Sequence, residues 1–91
     1  MFSKLPSEVI QEIAEKSKKI RKSKKLSQEE LAEKSGVSFG SIKRFETTGK
    51  ISLESLLKIA FVLGVLGDFE KLFIQKETPK TLDDIIKAQS R

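Results

Sequence analysis

The chain has 91 residues, 37% hydrophobic and 34% charged, with a formal net charge of +5 and a sequence pI near 9.6. That length allows one small domain with a modest core and no separate catalytic domain. Cysteine and histidine are both missing, which excludes disulfides, the common zinc sites and imidazole acid–base catalysis; no apolar run approaches the roughly 18 residues of a membrane span, and the basic excess favours an anionic partner.

Met1 to Pro6 reads as a short arm carrying Phe2, Lys4 and Leu5, and Pro6 before Ser7 and Glu8 marks a helix entry. Residues 1–17 are broken by Pro6 and alternating charges rather than built as a signal peptide, so a cytoplasmic location is expected. Helix one is expected over Ser7 to about Lys24. Val9, Ile10, Ile13, Ser17, Ile20 and Arg21 fall at helical spacing on its inner stripe. Lys16, Lys18, Lys19, Arg21, Lys22, Lys24 and Lys25 crowd into ten residues, a solvated helix face or, beside a nucleic-acid reader, a phosphate-binding one.

Residues 27–49, SQEELAEKSGVSFGSIKRFETTG, carry the densest set of signals. Ser27 followed three residues on by Glu30 is a capping box, in which each side chain satisfies a free backbone N–H at a helix start. Helix two is therefore expected over Gln28–Lys34, with Leu31 and Ala32 as its apolar positions. Gly36 can take the left-handed conformation that ends a helix without steric cost. Val37 turns the chain inward. Ser38 can cap a third helix running to Glu46, on which Ile42 and Phe45 face inward with Val37. Phe39, Gly40, Lys43 and Arg44 are left on its outer face. Two short helices joined by a glycine-containing turn make a helix-turn-helix, which points to DNA.

Thr47 to Ile51 is expected as a loop and Ser52 as the cap of helix four, whose apolar face is Leu53, Leu56, Leu57, Ala60, Phe61 and Leu63 until Gly64 stops it. Gly67 and Asp68 open a shorter fifth helix containing Phe69, Leu72 and Phe73. Residues 1–74 are thus the expected DNA-binding domain, with 75–91 as a connector and a final short helix. Pro79 biases Thr78 towards extended backbone; Thr81 and Asp84 repeat the capping-box pattern, and Leu82, Ile85, Ile86 and Ala88 make one apolar face. So short a helix is not stable alone. It needs its own domain, a second subunit or a partner to dock on.

The pattern Gln-x-x-Leu-Ala-x-x-x-Gly-Val-Ser-x-x-x-Ile-x-x-x-Glu, here Gln28 to Glu46, resembles the lambda-repressor/Cro-like (XRE) family of helix-turn-helix regulators, and the resemblance runs from about Ile20 through Gly64. It implies an all-α, lambda-repressor-like five-helix DNA-binding domain, here with a short C-terminal extension helix. Aligned to that motif, Ser38, Phe39, Gly40, Lys43 and Arg44 face the bases. Arg44 is the strongest candidate, because a guanidinium can bridge O6 and N7 of guanine; Lys43 can do likewise or bind phosphate, and an exposed Phe39 suits a thymine methyl. Gly40 departs from the family, which often places a polar residue there; close backbone approach is its compensation. Gln28 resembles the family's glutamine that contacts phosphate from a helix N-terminus. Ser41, Thr47 and Lys50 are further phosphate candidates. Many family members pair a basic residue of helix one with the glutamate closing helix three, which implies an Arg21–Glu46 ion pair here.

The expected function is a sequence-specific transcriptional regulator, a repressor that occludes an inverted-repeat operator on double-stranded DNA as a homodimer. Leu66, Phe69, Phe73, Leu82, Ile85 and Ile86 are the candidates for the twofold contact. No catalytic constellation, metal-ligand set or cofactor motif is present, so an enzyme is not expected. The alternative is an antitoxin or adaptor that acts mainly by binding a partner protein. Leu82 to Gln89, Leu-Asp-Asp-Ile-Ile-Lys-Ala-Gln, resembles the tail of family members that are antitoxins encoded beside HipA-type kinase toxins.

Overall fold

A computed structural model describes residues 4–75. Among them the chain forms five helices and no strand: α1 (Pro6–Ser23), α2 (Gln28–Ser35), α3 (Phe39–Thr48), α4 (Leu53–Leu63) and α5 (Leu66–Glu70). The final helix expected in 75–91, with Leu82, Ile85 and Ile86, lies outside the described residues.

Local chemistry accounts for most of the helix ends. Pro6 opens α1 where its missing N–H is one the helix would leave free, and the Glu8 carboxylate accepts from Leu5 N–H at 2.9 Å. The capping box of α2 is closed from both sides: Ser27 Oγ accepts from Glu30 N–H at 3.0 Å, and Glu30 Oε1 accepts from Ser27 N–H at 2.8 Å. The Ser27 backbone N–H first, and the nearby Ser27 hydroxyl after it, hold the Glu30 carboxyl below its ordinary pKa. Ser38 Oγ and Ser52 Oγ cap α3 and α4 by accepting from Ser41 and Ser55 N–H groups, each at 3.1 Å. Gly36 ends α2 at φ +77°, and Gly49 ends α3 at φ +80°.

The core is one cluster drawn from four helices and the turn between α2 and α3: Ala14, Leu31, Val37, Ile42, Phe45, Ile59 and Leu63. α1 and α2 each pack on both α3 and α4, while α5 packs on α4. Leu31, Ile42, Phe45 and Ile59 are the largest fully buried side chains, each contributing about 1.5–3 kcal/mol by leaving water. Two of the four belong to α3. That helix is therefore gripped along its inner side, and its outer side is presented at a fixed angle.

Several expectations change. Val9 and Ile10 are 42% and 44% exposed rather than core. On α4 the buried stripe is Ile59, Ala60 and Leu63 with Leu56 beside it, and Leu53 and Phe61 face solvent. Phe61 follows Ala60 by one residue and so points about 100° away from the stripe. Thr47 and Thr48, expected in a loop, form the last turn of α3, their hydroxyls donating to the Lys43 and Arg44 carbonyls at 2.8 and 2.7 Å. α5 stops at Glu70, leaving Leu72 and Phe73 in the turn beyond, with Phe73 at φ +62° and fully exposed. Arg21 leaves the basic cluster altogether, being buried. Lys16, Lys19, Lys22, Lys24 and Lys25 remain exposed and Lys18 half-buried.

Candidate nucleic-acid interface

The geometry of the α2–α3 pair is anchored by Arg21 and Glu46. Arg21 Nε donates to Glu46 Oε2 at 2.7 Å and Arg21 Nη2 to Glu46 Oε1 at 3.0 Å, and the two side chains are only 8% and 2% exposed. The third guanidinium nitrogen, Nη1, donates to the Leu26 carbonyl at 2.7 Å, tying the α1–α2 turn to the same group. Gln28 Nε2 adds a bond to Glu46 Oε1 at 2.9 Å. One carboxylate thus joins the end of α1, the start of α2 and the last turn of α3. Burial pushes the Glu46 carboxyl up, but hydrogen bonds from Arg21 and Gln28, with the Arg21 charge, outweigh it and the pKa is lowered.

This network changes what Gln28 can do. One N–H of its amide is engaged by Glu46, which leaves the second, beside the backbone N–H groups at the start of α2, as the donor that side chain could offer a phosphate. Ser38 is similarly occupied: besides capping α3, its hydroxyl donates to Ser41 Oγ at 2.8 Å. The Thr47 hydroxyl donates within its own helix.

The outer face of α3 stays open. Phe39, Gly40, Lys43 and Arg44 are all exposed, and neither Lys43 nor Arg44 pairs with a carboxylate among the described residues. Lys43 Nζ lies 5.5 Å from the centre of the Phe39 ring. Phe39 is 41% exposed, which places it on the outer face rather than in the core. Arg44 and Lys50 line one shallow depression of about 310 Å³ with Ser41, Ile51, Ser52 and Ser55. The helix end at Ser52 therefore opens towards the same two cations, a grouping that Ser52 and Ser55 do not reveal in the sequence because Ser52 is fully explained as a cap.

The pieces are held at their far ends too. Gln11 Nε2 donates to the Thr48 carbonyl at 3.3 Å, and Gly49 passes so close to Ile10 of α1 that a Cβ there would run into Ile10 Cγ2. Among the dimer candidates, Leu66 and Phe69 are half-buried and Phe73 is exposed. Among the described residues no cluster of side chains could hold a metal ion, and no helix is long and apolar enough to cross a membrane.

The helix-turn-helix family matches residues 18–68, more than half of the chain. No curated protein and no solved structure matches it. The match takes in the C-terminal part of α1 that carries Arg21, both helices of the motif, the whole of α4 and the start of α5. With its capped α2–α3 pair and an unpaired basic outer face on α3, the chain belongs to the helix-turn-helix family of XRE/Cro-lambda type, a DNA-binding and non-enzymatic family.

Proposed function

We propose that the protein is a sequence-specific transcriptional repressor that binds an inverted-repeat operator as a homodimer and acts by occluding a promoter. The observation that carries this is the outer face of α3, where Phe39, Gly40, Lys43 and Arg44 stand exposed at the end of a helix pair that Arg21 and Glu46 hold rigid. In a helix-turn-helix the second helix lies in the major groove, with its N-terminal residues at base edges. Arg44 then reads guanine, Lys43 reads a base or a phosphate, and Lys50 and Ser41 meet the backbone beside them. Occlusion needs binding alone.

The dimer is supported by apolar surface left exposed among the described residues. Leu72, Phe73 and Ile74 are consecutive and all exposed. Phe69 and Leu72 also line an apolar cleft of about 270 Å³ between α1, α4 and α5. A specific affinity of about 10⁻⁸ M or tighter generally draws on two half-sites, whose centres lie about 34 Å apart on DNA. The tail at 82–89 that would favour an antitoxin lies outside both the described residues and the family match, whereas the basic outer face of α3 lies inside both, and that face favours the repressor over a toxin-binding or adaptor role.

Selection of bound fragments from random DNA, followed by gel shift against competitor at raised salt, tests the first part. A palindromic site that survives competitor is expected; binding that disappears with salt on every sequence alike is surface attraction and refutes it. Mass measurement at micromolar concentration, for the full chain and for one ending at Gln75, tests the second. A full chain that is monomeric both free and on its site refutes the dimer.

A further inference from the structure

At its first turn α3 offers DNA almost no hydrogen-bonding side chain. The Ser38 hydroxyl accepts from Ser41 N–H and donates to Ser41 Oγ. Phe39 comes next with its ring exposed, and Lys43, one turn further on, sets its ammonium against that ring. This i, i+4 cation–π contact covers part of the ring and holds its direction. Beside it stands Gly40. Apart from its chain neighbours and its own helix's backbone, a Cβ built there meets no atom of the described residues within 4 Å, and its φ lies outside the left-handed region. Nothing inside the fold requires glycine at this position, and glycine weakens a helix relative to alanine. The fold forgoes that stability and leaves an empty notch next to the ring.

We propose that Phe39 and Gly40 together form a seat for the C5 methyl group of a pyrimidine, thymine or 5-methylcytosine; this rests on α3 lying in the major groove. The methyl is the one apolar group that base edges display there, and an aromatic ring is a suitable surface to bury it against. A side chain at position 40 would stand where the methyl has to enter. Lys43 acts on the ring rather than on the base at this position. Two chemistries then follow one another along α3, methyl reading at its first turn and guanine reading by Arg44 one turn later.

The experiment takes the sequence that the full chain selects from random DNA and replaces thymine by deoxyuridine one position at a time. This removes the methyl and leaves every hydrogen-bonding group of the base in place. Loss of one buried methyl predicts a drop in affinity of about fourfold at one or two positions and no change elsewhere. Phe39→Ala abolishes the difference between thymine and deoxyuridine at those positions. Gly40→Leu, whose Cβ has open space in the fold, abolishes it as well, and thermal melts establish that both variants are folded. The proposal is overturned if no position distinguishes the two bases while the thymine duplex binds tightly, or if the difference persists undiminished in both variants. Failure of the thymine duplex to bind above competitor DNA refutes sequence-specific reading itself, and the methyl seat with it.

Discussion

Replacing Arg21 and Glu46 separately and together measures how firmly the recognition helix is held. Glu46→Leu takes two hydrogen bonds from a guanidinium that is 8% exposed and leaves it only the Leu26 carbonyl at 2.7 Å. It also strands the Gln28 amide. Breaking a buried pair from one side costs about 3–5 kcal/mol, against a total stability for such a domain of roughly 5–15 kcal/mol. A loss of about 3 kcal/mol corresponds to a fall in Tm of roughly 12–24 °C. Arg21→Met costs a similar amount, because it leaves the Leu26 carbonyl without its donor and the buried Glu46 charge with only the Gln28 amide. In the double variant no buried charge remains, and the residual cost of about 2 kcal/mol comes from the unsatisfied Leu26 carbonyl and Gln28 amide. The cycle therefore closes with a coupling of at least about 2 kcal/mol. Urea unfolding followed by helical circular dichroism reads all four proteins, with constant m-values as the check that the unfolded states match. Single losses below about 1 kcal/mol that simply add would mean the pair behaves as a solvated surface bridge, and the account of how α3 is anchored would be wrong.

Acid should act through the same carboxylate. Its folded pKa is lowered, so its stabilisation is present above the unfolded value of about 4.3 and is lost as pH falls through the lower folded one; the acid-unfolding transition of Glu46→Gln should be correspondingly less steep. Gly49→Ala combines a left-handed φ of +80° with a collision at Ile10 and should cost about 2 kcal/mol or more; Ile10→Ala in the same chain should recover the steric part, as read by thermal melting. Arg44→Ala should weaken binding to the selected site by about 1–3 kcal/mol and relax the preference at one base while sparing non-specific binding, and an unchanged site preference in a second selection would refute the assigned register of α3.

Signals confined to a few neighbouring residues were legible without coordinates. Ser27 with Glu30, Ser38 and Ser52 announce three helix starts because a cap bonds to backbone two or three residues away. Gly36 and Gly64 announce two ends for an equally local reason, the lack of a Cβ. The inward residues of α3 followed from their spacing. The Arg21–Glu46 pair did not: it spans 25 residues, and only the family resemblance suggested it.

The sequence by itself determined the helix order, the helix-turn-helix and the outer face of α3, since hydrophobic period, caps and turn residues act over one or two turns. Tertiary structure alone decided which of the apolar residues are core. Period names a face, but the packing of helices distant in the chain leaves Val9, Ile10 and Leu53 largely exposed and Ile59 buried. It decided that Gln28 is engaged by Glu46, that Thr47 and Thr48 continue α3, and that Gly49 lies against Ile10. It also distinguished Gly49, where a Cβ has no room, from Gly40, where it has nothing to touch. The sequence placed one on a helix face and the other in a loop but said nothing of the room around either, because steric room is set by residues far away in the chain.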